Sequence, residues 1–182
     1  MKLTEQELLE QLRAKGQKTK AFSSLVGMFQ ERLYWHIRKM VLVHEDADDV
    51  LQNTFIKAWK GIDKFRGDAK LSTWLYRIAT NETFTFLANK RMQQINSMDE
   101  IEDTMLKKLT ADSYFNGDET QLALQKAILT LPEKQRLVFN MKYFDGLSYE
   151  QMEDILGTSV GALKASYHHA RKKIEKSITG EI

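Results

Sequence analysis

Residues 131–173 of the chain are LPEKQRLVFNMKYFDGLSYEQMEDILGTSVGALKASYHHARKK, and they form its most diagnostic segment. The apolar periodicity predicts three helices, of which the last two form a helix-turn-helix. Ser148 is placed to cap a helix, with Gln151 as its capping-box partner three residues later. Gly157 suits the left-handed conformation that closes a helix, and Ser159 caps the next helix after a short turn.

The last predicted helix has two contrasting sides. One stripe is apolar and is expected to lie in the core: Val160, Leu163, Tyr167, Ala170 and Ile174. The opposite ridge and its flanks carry small, hydrogen-bonding and cationic side chains: Gly161, Lys164, Ala165, His168, His169, Arg171 and Lys172. Small residues followed by cationic ones suit a helix whose first turns enter a DNA major groove.

The same pattern has an ordinary explanation, because a helix with one apolar and one basic side is more often a solvated surface helix. The two capped helices, the turn at Gly157 and the small Gly161 at the helix start favour DNA recognition. The segment is therefore predicted to bind DNA.

Charge is unevenly distributed along the chain. The formal net charge is only +2 over 182 residues, but residues 160–177 carry five cations against one carboxylate. Residues 99–119 carry seven carboxylates against two lysines. A protein that coats nucleic acid indiscriminately is usually basic throughout, because non-specific affinity comes from phosphate neutralisation. The separation of charge predicts at least two partners of opposite sign.

The composition also restricts the compartment. The chain has no cysteine, which excludes disulfides and thiolate chemistry and favours a reducing compartment. No uninterrupted apolar run is long enough to span a membrane. The N-terminus, MKLTEQELLEQLRAKG, contains a Thr4–Glu7 capping box but lacks the apolar core of a secretion signal. A cytoplasmic, soluble protein is expected.

Helical periodicity covers almost the whole chain, and the single proline, Pro132, lies near a predicted helix start, where proline is tolerated. One long helix is marked by its apolar residues: Phe22, Leu25, Val26, Phe29, Leu33, Ile37 and Met40. A second is marked by Val50, Leu51, Thr54, Phe55, Ala58 and Trp59, and a third begins near Ser72. The predicted fold is all-α: a helical domain at 1–94, an acidic flexible linker at 95–119 and a helix-turn-helix domain at 120–182.

A dense acidic cluster begins the second helix: Glu45, Asp46, Asp48 and Asp49. The helix dipole favours carboxylates at this end, which accounts for them without any function. A calcium loop is a second explanation, but Leu51 stands where such a loop needs glycine. The third is a docking surface for basic side chains of a protein partner, because Asp49, Gln52 and Asn53 continue a polar ridge along the helix.

The loop before the third helix combines aromatic and cationic residues around a glycine. Phe65, Arg66 and Lys70 lie in this loop, and Arg77 follows in the helix. Such a mixture suits single-stranded nucleic acid, because unstacked bases stack on rings while phosphates meet cations. Trp74, with Leu75 and Ile78, is equally compatible with a place in the core. Asn81 follows Arg77 by one turn, on a helix that can line a base pocket.

No arrangement of residues favours catalysis. The four histidines do not form a site, since His168 and His169 diverge around their helix and His36 and His44 lie far away in the sequence. The sequence has no HExxH pattern, no phosphate-binding glycine loop and no nucleophile elbow. Neither an enzyme, a metal nor a cofactor is predicted.

Two parts of the chain resemble one family. Residues 46–83, DADDVLQNTFIKAWKGIDKFRGDAKLSTWLYRIATNET, are similar to region 2 of bacterial sigma factors of the extracytoplasmic-function (ECF) group. Residues 131–174 are similar to region 4 of the same proteins. The two segments occur in the order and spacing that this family has, and together they cover about four fifths of the chain.

The resemblance implies a function and its residues. Such proteins bind the RNA polymerase core, at the coiled coil of its largest subunit and at its flap region, and direct it to promoter DNA. The implied core-binding residues are Asp46, Asp48, Asp49, Gln52 and Asn53. Those implied to read and trap bases of the −10 element are Phe65, Arg66, Gly67, Asp68, Lys70, Trp74, Tyr76, Arg77 and Asn81. The residues implied to bind the −35 element are Gly161, Lys164, Ala165, Ser166, His168 and His169, and Arg171 and Lys172 are implied to bind phosphates.

The family also implies an anti-sigma factor, frequently membrane-bound, as a further partner. The chain departs from the family at Ser166 and His169, where arginines are common, so the −35 base preference does not transfer. A hypothesis for the linker is that its carboxylates imitate a nucleic-acid backbone near the RNA channel of the polymerase. Two rival functions are a stand-alone helix-turn-helix regulator and a metal-dependent nucleic-acid enzyme.

Overall fold

The computed structural model describes residues 3–14, 16–93 and 119–180. In these ranges it contains eight α-helices and one short 3-10 helix and no strand, which confirms the all-α prediction. The helices are α1 (Glu5–Arg13), α2 (Lys18–Val41), α3 (His44–Gly61), α4 (Leu71–Gln93), α5 (Glu119–Leu129), α6 (Glu133–Tyr143), α7 (Tyr149–Leu156) and α8 (Val160–Thr179), with the 3-10 helix at Ile62–Lys64.

The chain divides into two compact units, one mainly of residues 1–89 and the other mainly of residues 90–182. The domain limits given above remain predictions, and the predicted acidic linker lies outside the described residues except for Glu119, where α5 begins. None of the helices in the described ranges combines the length and the apolar content that a membrane span needs.

Helix α2 forms the centre of the first unit. Leu25, Phe29, Leu33 and Ile37 recur at helical spacing on one side of it, and each is at most 1% exposed. Helices α1 and α3 both pack against α2. Helix α1 contributes Leu8 and Leu12 to the core, and α3 contributes Ala47, Val50, Thr54 and Ala58. The predicted apolar stripe of the long helix is buried at five positions and half-buried at Phe22 and Val26.

The turn between α2 and α3 depends on an unusual backbone conformation. Leu42 ends α2 with φ +65°, a left-handed conformation that costs a non-glycine residue roughly 1–2 kcal/mol. Its side chain is only 5% exposed, and burying a leucine contributes a gain of similar size. The burial of Leu42 therefore offsets the strain and fixes the direction in which α3 leaves the turn.

A buried polar contact joins α4 to α2. His36 on α2 lies 3.0 Å from the hydroxyl oxygen of Thr80 through its Nε2 atom, and both residues are buried. The His36 ring also meets the ring of Tyr76 edge to face, with 4.9 Å between centroids. Paired polar groups can be buried at little cost, so this contact fixes which side of α4 faces the core.

The predicted caps of the second unit are confirmed. The backbone N–H of Gln151 donates to the Ser148 hydroxyl at 3.2 Å, and the Ser148 N–H donates to the Gln151 side chain at 2.9 Å. Gly157 ends α7 with φ +65°, and the Ser159 hydroxyl accepts from the N–H of Ala162 at 3.4 Å. These contacts produce the predicted helix-turn-helix of α7 and α8.

The core of the second unit combines aliphatic and aromatic side chains. Phe139 on α6 stacks on Tyr167 of α8 at 5.7 Å between centroids, with the ring planes 19° apart. Leu163, Ala170 and Ile174 are buried, as their stripe predicted, whereas Val160 and Tyr167 are half-buried.

The left-handed residue at the helix-turn-helix gives a stability prediction. A Cβ at Gly157 would meet no heavy atom within 4 Å, so Gly157→Ala has only a backbone cost, and we expect it to lower the unfolding free energy by about 1 kcal/mol. Gly161→Ala is the matched control, because Gly161 is helical and equally open, and alanine there is expected to be neutral or stabilising by up to about 1 kcal/mol. Amide exchange in α7 and α8 measures both changes. Equal effects of the two substitutions would contradict the assigned conformation of Gly157.

The start of α1 gives a prediction on pH. The Glu7 carboxylate accepts from the backbone N–H of Thr4 at 2.8 Å and from its hydroxyl at 2.9 Å, and these hydrogen bonds, the backbone one first, lower the pKa of Glu7. Because its pKa is lowered, the ionised Glu7 carboxylate stabilises α1 fully at pH values above the ordinary glutamate pKa of about 4.3. This stabilisation is lost as the pH falls through the lowered pKa. An NMR titration should show that Thr4→Val raises the Glu7 midpoint towards its ordinary value. Valine keeps the backbone N–H of residue 4, so a midpoint that does not move would exclude the Thr4 hydroxyl, and not the backbone N–H, as a cause.

Candidate nucleic-acid and partner-binding surfaces

The acidic residues of α3 form a continuous ridge on its solvent side. This acidic ridge consists of Asp46, Asp48, Asp49, Gln52 and Asn53, of which Asp46 is half-buried and the others are exposed. Ala47 and Val50 lie between them in sequence but face the core, because helical geometry places them on the opposite side. The structure thus brings the predicted core-binding residues onto one face.

Asp48 is held by a short chain of contacts. Its Oδ2 lies 3.4 Å from Nε2 of His44 one turn earlier, and Nδ1 of the same ring lies 2.8 Å from the Tyr34 hydroxyl on α2. These contacts restrict Asp48 at the first turn of the ridge, while Asp49, Gln52 and Asn53 project further along α3.

The exposed side of α3 also carries an apolar residue that the sequence analysis missed. Ile56 is 45% exposed and follows Gln52 by four residues, so it extends the acidic ridge by one turn. The helical periodicity of the sequence was a signal for this residue, because Ile56 lies among exposed polar residues and out of phase with the buried stripe.

Three of the nine residues predicted for the −10 element line one open pocket in the first unit. The pocket has a volume of about 360 Å³ and is lined by Lys57, Gly61, Lys64, Phe65, Trp74, Ile78, Asn81 and Glu82. The rings of Phe65 and Trp74 are in contact, with 5.1 Å between centroids and planes 42° apart. Predicted residues Phe65, Trp74 and Asn81 therefore share one cavity.

Two lysines of this pocket were absent from the sequence prediction. Lys64 lines the pocket, and Lys57 forms an ion pair of 2.5 Å with Glu82, whose side chain is largely buried at 12% exposure. Lys64 directly precedes Phe65, so its sequence position was a signal for it, whereas Lys57 lies eight residues before Phe65 and is brought to the pocket by the fold.

The loop that follows the 3-10 helix exposes its polar side chains. Arg66, Gly67, Asp68 and Lys70 are all exposed, and Arg66 Nε lies 3.0 Å from Asp68 Oδ2. The side chains of this pair are 84% and 73% exposed, so the ion pair contributes little to stability and can be exchanged. Arg77 on α4 is exposed as well.

Tyr76 does not belong to this surface, and its prediction as a DNA contact requires correction. Its side chain is 1% exposed, since residue 76 falls on the side of α4 that packs against His36. Trp74 is half-buried, so its ring serves both as part of the core boundary and as a wall of the pocket.

Helix α8 presents the predicted ridge to solvent. The exposed members are Gly161, Lys164, Ala165, His168, His169, Arg171 and Lys172, and Ser166 is half-buried. The rings of His168 and His169 are 6.0 Å apart and inclined by 61°, so they diverge as predicted. Arg171 Nη2 pairs with Glu175 Oε1 at 2.9 Å, and both side chains are exposed.

Contacts at the start of α8 fix its direction. The Val160 N–H donates to the Glu153 carboxylate of α7 at 3.2 Å. Lys164 Nζ lies 5.7 Å from the centre of the Tyr149 ring, and Lys142 Nζ lies 4.8 Å from it. Burial, and then the neighbouring Tyr167, raise the pKa of Tyr149 above its ordinary value. The Tyr149 ring thus positions Lys164 beside the N-terminal turns of α8.

No group of three or more histidine, cysteine, aspartate or glutamate side chains suited to a metal ion occurs among the described residues. The acidic ridge is spread along one helix face rather than gathered around a point.

Two protein-family models match the chain. Sigma-70 region 2 matches residues 25–92, and Sigma-70 region 4 matches residues 121–174. The first match includes the acidic ridge and the aromatic pocket, and the second includes the helix-turn-helix.

Curated relatives match over nearly the full length. The ECF RNA polymerase sigma factor SigW of Bacillus subtilis is 32% identical over 168 residues, covering 87% of this chain and 89% of SigW. The ECF RNA polymerase sigma-E factor of Escherichia coli K12 is 33% identical over 184 residues, covering 97% of this chain and 95% of that protein.

Two solved structures have a similar fold. One is CnrH in complex with the cytosolic domain of CnrY, with a TM-score of 0.69, 22% identity and coverage of 96% of this chain and 97% of that one. The other is the sigma factor RpoE in complex with the anti-sigma factor NepR from Bartonella quintana, with a TM-score of 0.70, 20% identity and coverage of 90% and 99%.

The close packing of Gly61 on Trp74 gives a prediction for the pocket. A Cβ at Gly61 would lie 3.2 Å from Cζ2 of Trp74, so Gly61→Ala must displace the ring, and we expect the first unit to lose about 1 kcal/mol of stability. Tryptophan emission and near-UV circular dichroism should change at the same time. Denaturant unfolding followed by tryptophan emission reports on this unit, because Trp35, Trp59 and Trp74 all lie in it.

The matched control for this substitution is Gly27→Ala. Gly27 is exposed on α2, and a Cβ there would meet nothing within 4 Å, so alanine is expected to stabilise the helix by up to about 1 kcal/mol. If both variants left the tryptophan signals unchanged, the Trp74 ring would not lie where the structure places it.

Proposed function

The chain belongs to the ECF group of RNA polymerase sigma factors, and from this premise we propose which of its surfaces bind the polymerase core, the −10 element and the −35 element. As a member of this group it is an alternative sigma factor that directs promoter recognition and transcription initiation. The proposal rests mainly on one observation: an exposed acidic ridge and an aromatic, cation-lined pocket occur in the same small helical unit.

The acidic ridge binds the polymerase core, at basic side chains on the coiled coil of its largest subunit. The helix dipole favours carboxylates within the first turn, which accounts for Glu45 and Asp46. It does not account for Asp49, Gln52 and Asn53, which lie in later turns and remain exposed. Polar groups left in water along a helix face, with Ile56 at the end, suit a partner that supplies cations and a small apolar contact.

The pocket between α3, the 3-10 helix and α4 captures unstacked bases of the −10 element. A pocket of about 360 Å³ reaches the size range of small-ligand sites, and it offers two rings with lysines at its edge. Phe65 and Trp74 provide the stacking surfaces, while Arg66, Lys70 and Arg77 are exposed to meet phosphates. The buried Tyr76 supports this pocket from the core rather than touching DNA.

The free energy gained by capturing bases is similar in size to the free energy needed to open the duplex. Each stacking step of the duplex costs about 1.4 kcal/mol to break, and each base stacked on an aromatic side chain returns about 1–3 kcal/mol. Capture of two or three bases therefore favours an open promoter, and polymerase contacts contribute the remainder.

Helix α8 recognises the −35 element in the major groove. Gly161 and Ala165 leave room for close approach at its first turns, and Lys164, Ser166, His168 and His169 supply the hydrogen-bonding groups. Arg171 and Lys172 bind phosphates, and for Arg171 this means exchanging Glu175 for the DNA backbone.

The remaining partners follow from the family. CnrH and RpoE were each solved with a second protein, the cytosolic domain of CnrY and the anti-sigma factor NepR. By analogy, this chain binds an anti-sigma factor, acts in the cytoplasm where the polymerase is, and needs neither a cofactor nor an enzymatic activity of its own.

Transcription with purified polymerase core tests the docking surface. Asp49→Lys with Gln52→Lys changes the formal charge of the acidic ridge from −3 to 0 without changing a buried residue, and we expect affinity for core to fall at least about tenfold. Promoter-specific transcripts from genomic fragments should then disappear at limiting protein and return when the variant is in large excess.

The matched control is Gln30→Lys with Glu31→Lys on α2. It changes one amide and one carboxylate, both exposed, by the same total charge outside the acidic ridge. Transcription should be retained in this variant. If the wild-type chain bound DNA fragments but never stimulated the core, the stand-alone regulator would be the better assignment.

A further inference from the structure

Helix α1 contacts the loop that carries the predicted −10 residues, although more than fifty residues separate them in sequence. Arg13, the last residue of α1, donates from Nη2 to the backbone carbonyl of Arg66 at 3.2 Å and to that of Phe65 at 3.5 Å. One guanidinium thus binds two successive carbonyls, at the point where the chain leaves the 3-10 helix and enters residues 65–70.

A second residue of α1 holds the other end of the same loop. The Glu5 carboxylate accepts from the backbone N–H of Ser72 at 3.2 Å, in a partly buried position. Ser72 is the second residue of α4, so its N–H has no partner within the helix and attracts an anion. Glu5 therefore acts as a cap supplied from another helix.

The backbone between these two points approaches α1 closely. Gly67 has φ +89°, and a Cβ there would lie 3.4 Å from Nη2 of Arg13 and 4.0 Å from Cδ2 of Leu9. At the start of α2, Lys18 Nζ pairs with Asp63 Oδ2 of the 3-10 helix at 2.5 Å, and it lies 4.5 Å from the centre of the Trp59 ring. The segment 63–72 is thus bound at both ends and in the middle.

Helix α1 is itself well anchored. Leu8 is fully buried and Leu12 is 6% exposed, and the Thr4–Glu7 capping box fixes the first turn. Arg13 and Glu5 consequently project from a helix whose position is determined by the core.

We propose that α1 is a positioning element for the −10 loop, with Arg13 as the main positioning residue and Glu5 as the second. This inference rests on the proposed function, because it assigns to α1 the conformation in which Phe65 and Arg66 meet unstacked bases. Ordering a flexible loop on binding reduces affinity, and a loop already held by Arg13 avoids that loss. This role was not predictable from the sequence, since neither residue lies in the segments that resemble region 2 or region 4.

Binding of single-stranded DNA by the holoenzyme tests the proposal. The probe is a labelled single-stranded oligonucleotide carrying the −10 element of a promoter that the wild-type holoenzyme transcribes. We expect Arg13→Ala to weaken its binding about three- to tenfold, the size of one net hydrogen bond of ordinary strength, and Arg13→Lys to fall between. Affinity for core and for a −35 duplex should not change. Arg32→Ala, an exposed arginine on α2, is the control and should bind as the wild type does.

The salt dependence separates positioning from direct contact. If Arg13 bound a phosphate itself, its removal would lower the slope of log affinity against log salt by about 0.7. A positioning residue leaves that slope unchanged while the affinity falls, so a reduced slope would overturn the proposal.

Hydrogen exchange in the free full-length chain tests the positioning without polymerase or DNA. We expect faster exchange at residues 65–70 in Arg13→Ala and not in Arg32→Ala; unchanged exchange would overturn the role of α1. A wild-type holoenzyme that binds no oligonucleotide would instead overturn the proposed function. A wild type and an Arg13→Ala variant that bind equally well would overturn only the present inference.

Discussion

The burial of one side of α2 is the constraint on which the first unit depends. Leu25, Phe29, Leu33 and Ile37 form a continuous apolar surface, and α1 and α3 can bury their own apolar sides only by packing on it. Once α3 is packed in this way, its acidic residues have no position left except the solvent side. Once α1 is packed, Arg13 and Glu5 reach the loop before α4. The functional surfaces of this unit are therefore consequences of how its core is filled.

Local sequence signals predicted the helices well because their causes are local. The Ser148 capping box, the left-handed Gly157 and the Ser159 cap all involve groups at most three or four residues apart, and each is present as expected. The acidic ridge and the ridge of α8 were also predictable, since each is a single helix with alternating buried and exposed residues.

Tertiary contacts were not predictable from such signals. Tyr76 was assigned to DNA from its place in the family motif, but the packing of α4 on His36 turns it into the core. Lys57 borders the pocket because α3, the 3-10 helix and α4 converge there, and no spacing in the sequence indicates that convergence. Arg13 and Glu5 act across separations of 53 and 67 residues, at which periodicity carries no information.

In the loop around Gly67 the backbone conformation is constrained, whereas the neighbouring side chains are not. Position 67 has φ +89°, so any other residue there is strained, whereas the side chains of its neighbours Arg66 and Asp68 extend into solvent. Substitutions on either side of the glycine therefore change exposed side chains while the backbone conformation of the loop is retained. Under the proposed function, the base preference of this loop can change without a loss of stability in the first unit.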